Sequence, residues 1–81
     1  MKIMTSPKHK RSGFAICVKN EGYEVSLERR KIYEVLADTD AEAHRQVRVI
    51  DESGEDYLFP AAYFVLVELP RRTERAVIEA A

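Results

Sequence analysis

Nucleophilic chemistry in this chain would need Cys17, or a serine, beside His9 or His44. Cys17 lies in the apolar run Phe14–Lys19, where a free thiol behaves as a small buried hydrophobe. Burial without a cationic neighbour raises a thiol's pKa and blunts its reactivity. A second chemistry is suggested by Asp38, Asp40, Glu42 and His44, which alternate through the stretch ADTDAEAHR. His-plus-carboxylate sets bind zinc and similar ions. No second cluster completes this one, so its charges read as a solvated loop. Glu52, Glu55 and Asp56 around Gly54 share the composition of a calcium loop but not its ligand spacing. Gly13, Gly22 and Gly54 stand too far apart for a phosphate-cradling loop. We therefore expect no catalytic residue, no metal site and no cofactor, and we read the chain as non-enzymatic.

Binding is the remaining class, and the charged and aromatic residues carry it. Lys8, Lys10 and Arg11 form one basic cluster with His9, Arg29-Arg30-Lys31 a second, and Arg71-Arg72 a third. Small barrels bind RNA by setting basic strips beside exposed aromatics. If the N-terminal arm folds back beside Arg29–Lys31, a stripe of that kind forms. Lys and Arg total 13 against 14 Asp and Glu, a formal net charge of −1, so the chain as a whole does not attract polyanions. Nucleic-acid binding through Lys8, Lys10, Arg11, Arg29, Arg30 and Lys31 is the alternative function. Phe14, Phe59 and Phe64 read as core, while Tyr23, Tyr33, Tyr57 and Tyr63 can bury a ring and keep a wet hydroxyl.

The elements that position these residues are short strands. The 81-residue length leaves room for one domain with a small core. A single cysteine allows no internal disulfide, which favours a reducing cytoplasm. No apolar run serves as a signal-peptide core or approaches the roughly 20 residues of a membrane span. A cytoplasmic protein without a membrane partner is expected.

Residues 1–13 are polar and basic with neither structural period, and read as a disordered arm. The first strand is expected over Phe14–Lys19, with Phe14, Ile16 and Val18 on one face. Tyr23–Arg30 reads as a long irregular loop with Tyr23, Val25 and Leu27 turned inward. Lys31–Leu36 is the second strand and Gln46–Asp51 the third, with a helical turn over Ala41–His44 between them, capped by Asp40. Gly54 supplies the turn into a fourth strand over Tyr57–Phe59. Pro60 stops that strand, Ala61–Tyr63 make a compact step, and Phe64–Val67 open the last strand. Leu58, Phe59, Phe64 and Val65 or Leu66 read as core. Residues 70–81 are rich in helix formers, with Thr73 as the expected N-cap.

Two blocks of residues resemble the Src-homology-three domain and its small bacterial relatives. Leu27–Leu36 (LERRKIYEVL) is similar to the segment in which a loop residue packs inward before a strand ending Ile-x-Glu-Val-Leu. Ser53–Phe64 (SGEDYLFPAAYF) is similar to the family's distal hairpin, fourth strand and Leu-Phe-Pro-x-x-Tyr step. The resemblance implies an all-β, five-stranded barrel over residues 14–69. It also places Pro60 and Tyr63 where the family has a groove proline and a groove tyrosine. The family recognises proline-rich peptides on an aromatic groove. This chain has no Trp for the centre of that groove, and its first strand lacks the tyrosine-bearing motif. Tyr23 and Tyr33 are the rings available to stand in. The expected function is binding of a protein partner, or self-association into a homo-oligomer, through Pro60, Tyr63, Tyr23 and Tyr33.

Overall fold

The computed structural model describes residues 9–80. Five strands form one antiparallel sheet: β1 (Arg11–Cys17), β2 (Ile32–Leu36), β3 (Gln46–Ile50), β4 (Asp56–Pro60) and β5 (Phe64–Val67). Helix α1 (Thr39–Ala43) joins β2 to β3, a 3₁₀ turn (Ala61–Tyr63) joins β4 to β5, and α2 (Arg71–Ala80) follows β5. The strand order is β4-β3-β2-β1-β5, so the last strand returns to lie beside the first. Among the described residues no helix is long and apolar enough to cross a membrane.

The expected five strands are all present, but the sheet does not close into a barrel. β4 and β5 are its two edges and do not pair with each other. The step between them explains why. Pro60 has no N–H to donate, and the next amide, Ala61, is taken by the Arg45 carbonyl at 3.0 Å. The Tyr63 carbonyl accepts from Val18 at 2.8 Å and Lys19 at 3.3 Å. The 3₁₀ turn is thus fixed between the start of β3 and the end of β1, and the strands on either side of it diverge.

β1 starts at Arg11 rather than Phe14, so Arg11–Gly13, read from sequence as part of the arm, lie in the sheet. Arg11 pairs with Leu36, and the Ala37 amide donates to the Lys10 carbonyl at 2.7 Å, which extends the ladder by three residues past an irregularity at Ser12. Residues 1–8 of the expected arm lie outside the described residues. The inward face of β1 also differs from expectation. Ala15 and Cys17 enter the core with Leu27, Tyr33, Val35, Val49 and Phe59, while Ile16 is half-buried and Val18 exposed. Small side chains suit that face because Phe59, Leu27 and Tyr33 fill the space across from them. Cys17 is a buried free thiol whose pKa is pushed up by burial, and its S–H donates to the Lys19 carbonyl at 3.1 Å. Leu58, Val65 and Leu66, all candidates for the core, are exposed instead.

The helices also start earlier than expected. α1 is capped by Asp38, not Asp40, because the Asp38 carboxylate accepts the Ala41 amide at 3.0 Å. α2 begins directly after Pro70, whose carbonyl accepts the Glu74 amide at 2.9 Å, so Thr73 lies inside the helix. Asp38 also accepts Arg48 Nε at 2.8 Å and stands 3.7 Å from His9 Nε2, while Arg48 reaches Asp56 at 2.9 Å. This network ties the entry of β1, the cap of α1 and the β3–β4 pair together.

The network predicts acid sensitivity. The Ala41 amide and the Arg48 guanidinium hold the Asp38 carboxyl below the usual range. Stability linked to it is complete above the ordinary carboxylate pKa, about 4, and drains away as pH falls through the lower folded value. Asp38→Asn should therefore lower the melting temperature at neutral pH and flatten its fall in acid. Melting curves taken from about pH 7 to about pH 2 check this, and a variant with the same acid slope as the parent would refute it.

Candidate functional site

Tyr63 ends the 3₁₀ turn that Pro60 opens, and the long loop after β1 lays Tyr23 against it. The loop takes that course for local reasons. The Tyr23 carbonyl accepts the amides of both Ser26 and Leu27 at 2.9 Å, and Asn20 Nδ2 donates to the Leu27 carbonyl at 3.0 Å. That tight turn drives Leu27 into the core and throws Val25 outward, where it is 94% exposed. The inward position expected for Val25 fails because a turn, not an alternating strand, runs through it.

The two tyrosine rings meet edge to face with centroids 6.0 Å apart. Tyr23 also stands edge-on to Phe59 at 5.1 Å, and Phe59 leans on Phe64 at 6.2 Å. The Tyr63 hydroxyl donates to the Glu21 carbonyl at 2.9 Å, closing the loop onto the 3₁₀ turn across 42 residues of sequence. Tyr23 remains 38% exposed, Tyr63 and Pro60 are half-buried, and Glu21 and Glu24 are exposed. Burial first, and then the charges of Glu21 and Glu24 with Tyr23 between them, push the Tyr63 hydroxyl above its ordinary pKa. The result is a surface of two ordered rings with an acidic border. Its backing is the core itself.

Comparison with protein-family models, with curated proteins and with solved structures gives no match.

Of the residues expected at a protein-binding face, Pro60, Tyr63 and Tyr23 are brought together and Tyr33 is not. Tyr33 is buried, its ring against Phe64 at 6.3 Å and its hydroxyl donating to the Glu52 carboxylate while accepting the Glu28 amide at 2.8 Å. It comes from β2, whose alternation turns it to the core with Val35. Glu21 and Glu24 join the face without having been singled out in the sequence. Their only signal there is that they flank Gly22-Tyr23.

Among the described residues the basic clusters do not form one stripe. Arg11 pairs with Leu36 at one end of the β1–β2 ladder, while the Lys31 carbonyl accepts the Cys17 amide at the other. Six strand residues separate them, about 20 Å. Arg11 is ion-paired with Glu34, and Lys31 lies 2.6 Å from Glu52 and over the Tyr33 ring at 5.6 Å. Arg29 and Arg30 are exposed, with Arg30 in the left-handed backbone region at φ 72°. Lys8 lies outside the described residues. In the acidic loop, Asp38 is spent on its cap and on Arg48, and the Asp40 carbonyl accepts His44 Nδ1–H at 2.8 Å. Among the described residues no three His, Cys, Asp or Glu side chains are grouped to hold a metal ion.

Proposed function

We propose that this protein is a non-enzymatic, cytoplasmic binding module of the Src-homology-three type, whose contact face is Tyr63, Tyr23 and Pro60 with the acidic border Glu21 and Glu24. It takes a segment of a protein partner. The observation that carries the reading is the Tyr23–Tyr63 pair, held at the surface by the Tyr63–Glu21 hydrogen bond and by Phe59 beneath it. Ordered tyrosines lose little conformational freedom on binding and offer both a ring and a hydroxyl to a partner. Support for the family reading comes from the strand order, in which β5 flanks β1 and β2-β3-β4 form a meander, and from the 3₁₀ turn after Pro60. The long loop between β1 and β2 belongs to the same pattern.

RNA binding through Lys10, Arg11, Arg29, Arg30 and Lys31 is the competing reading. The distance between the clusters and the ion pairs of Arg11 and Lys31 weigh against it. A steep loss of binding with added salt would be its signature.

Tyr63→Ala should weaken capture of the protein partner at least about tenfold, as expected for a ring near the centre of an interface. Tyr63→Phe, which keeps the ring and loses the bond to Glu21, should fall between variant and parent. Pull-down from cell extract, with circular dichroism to verify folding, makes the measurement. Undiminished capture by a folded Tyr63→Ala protein would overturn the proposal.

A further inference from the structure

We propose that the acidic aromatic face takes the basic C-terminal segment Leu69–Arg75 of a second copy of this chain, two copies exchanging tails reciprocally. The inference rests on the reading of that face as a contact surface and names its occupant.

Charge complementarity selects the occupant. Glu21 and Glu24 border the face, and neither takes part in an ion pair among the described residues. Among the described residues the Glu24 carboxylate accepts a hydrogen bond only from the Gly22 amide, at 3.3 Å. The charged groups that act on the Tyr63 hydroxyl are these same two glutamates. At the other end of the chain, Arg71, Arg72 and Arg75 are exposed on α2 and likewise carry no ion pair among the described residues. Leu69 and Pro70 precede them and add apolar surface for the rings of Tyr23 and Tyr63.

The helix itself is only loosely packed within its own copy, with Glu74, Val77 and Ile78 half-buried. None of its residues is fully buried, and among the described residues no ion pair joins its side chains to the sheet. At 10 residues it is too short to be stable without packing, so a docked state is the favourable one. Reach decides between its own face and a neighbour's. β5 carries the chain away from Tyr63 for four residues, about 13 Å, before the tail begins. The tail therefore leaves the sheet at the end remote from its own face. A two-fold arrangement brings each tail to the other copy's face and closes the assembly as a dimer.

Sedimentation equilibrium of the full chain, with charge-reversed variants, tests this. The parent should form a dimer that dissociates as salt is raised, because the contact joins exposed charges. Glu21→Lys with Glu24→Lys should abolish dimerisation, as should Arg71→Glu with Arg72→Glu and Arg75→Glu. An equimolar mixture of the two variants should restore the dimer, since every tail then meets a face of opposite sign. The milder pair Glu21→Gln and Glu24→Gln, which removes both charges and leaves residue 24 an amide oxygen for the Gly22 N–H, should weaken dimerisation by about tenfold or more. A monomeric parent, dimerisation unaffected by either reversal, or a mixture that stays monomeric would overturn the inference. If the parent is monomeric and Tyr63→Ala still abolishes partner capture, the second copy is ruled out as occupant and the contact face is retained. If neither holds, both readings fall.

Discussion

Replacing Phe59 by alanine is expected to lower the unfolding free energy by about 3–5 kcal/mol, the range for truncating a fully buried phenylalanine. A chain of 81 residues has roughly 4–12 kcal/mol to lose, so the variant keeps a fraction of the parent's stability or unfolds at ambient temperature. The expectation comes from where the ring sits. Phe59 is 2% exposed, belongs to the core with Ala15, Cys17, Leu27, Tyr33, Val35 and Val49, and touches the rings of Tyr23 and Phe64. It is anchored on β4 opposite Val47, one residue before Pro60 breaks the ladder. Collapse into the void is hindered because its neighbours come from β1, β2, β3 and the loop before β2, each held by its own hydrogen bonds. Phe59→Leu, which keeps most of the volume, should cost less than half as much. Urea denaturation followed by circular dichroism measures both, and a Phe59→Ala protein within about 1 kcal/mol of the parent would show that the ring is not part of the core.

The same substitution bears on function, since the contact face is an extension of the core. An unbroken series of ring contacts runs from Tyr33 through Phe64, Phe59 and Tyr23 to Tyr63. Tyr23 and Tyr63, at one end of the series, reach the surface, and the inner rings hold them in place. Such support is what keeps a surface tyrosine in one rotamer and spares a partner the entropy of ordering it.

Parts of this arrangement were legible in the sequence because a single residue type dictated them. Pro60 lacks a donor, so β4 ends there, a turn follows, and the next apolar run, Phe64–Val67, is β5. The sheet was less legible where both faces of a strand are covered. In β1, Phe14 is buried on one side and Ala15 and Cys17 on the other, so hydrophobicity alone could not say which set faces the core. Asp40 reads as the cap of α1 because it directly precedes the helix formers Ala41–His44; Asp38 takes the role two residues earlier, one oxygen on the Ala41 amide and the other on Arg48 of β3. Closure of the barrel depended on where the amides of Ala61 and Val18 bond, which is a tertiary fact. For the site, Tyr63 and Pro60 were marked by the Leu-Phe-Pro-x-x-Tyr step. Glu21 and Glu24 carry no such mark, because acidic residues in a loop are ordinarily just solvated, and only the fold places them beside a ring pair.

Tyr33→Phe should cost about 1–3 kcal/mol of stability while leaving partner binding unchanged, which separates the two roles open to this tyrosine. The ring is kept, so the loss reports the hydroxyl alone. That hydroxyl accepts the Glu28 amide at 2.8 Å and donates to the Glu52 carboxylate, which Lys31 also holds at 2.6 Å. It therefore fastens the loop before β2 and the turn after β3 to the same strand. Two pH effects follow with opposite signs. Lys31 first, and then Tyr33, holds the Glu52 carboxyl below its ordinary value, so the linked stability is complete above the usual carboxylate range and is lost as pH falls. Burial first, and then the bond to Glu52, pushes the Tyr33 hydroxyl far above its ordinary value. The stability tied to its neutral form is full below about pH 10 and is lost as pH rises toward the folded pKa. Tyr33→Phe should flatten both limbs of the stability–pH profile, the alkaline one most. Denaturation series across pH, with partner capture measured in parallel, test the assignment. Unchanged stability with weakened capture would place Tyr33 on the binding face after all, whereas lost stability with full capture would fix it as the residue that joins the core to the loop bearing Tyr23.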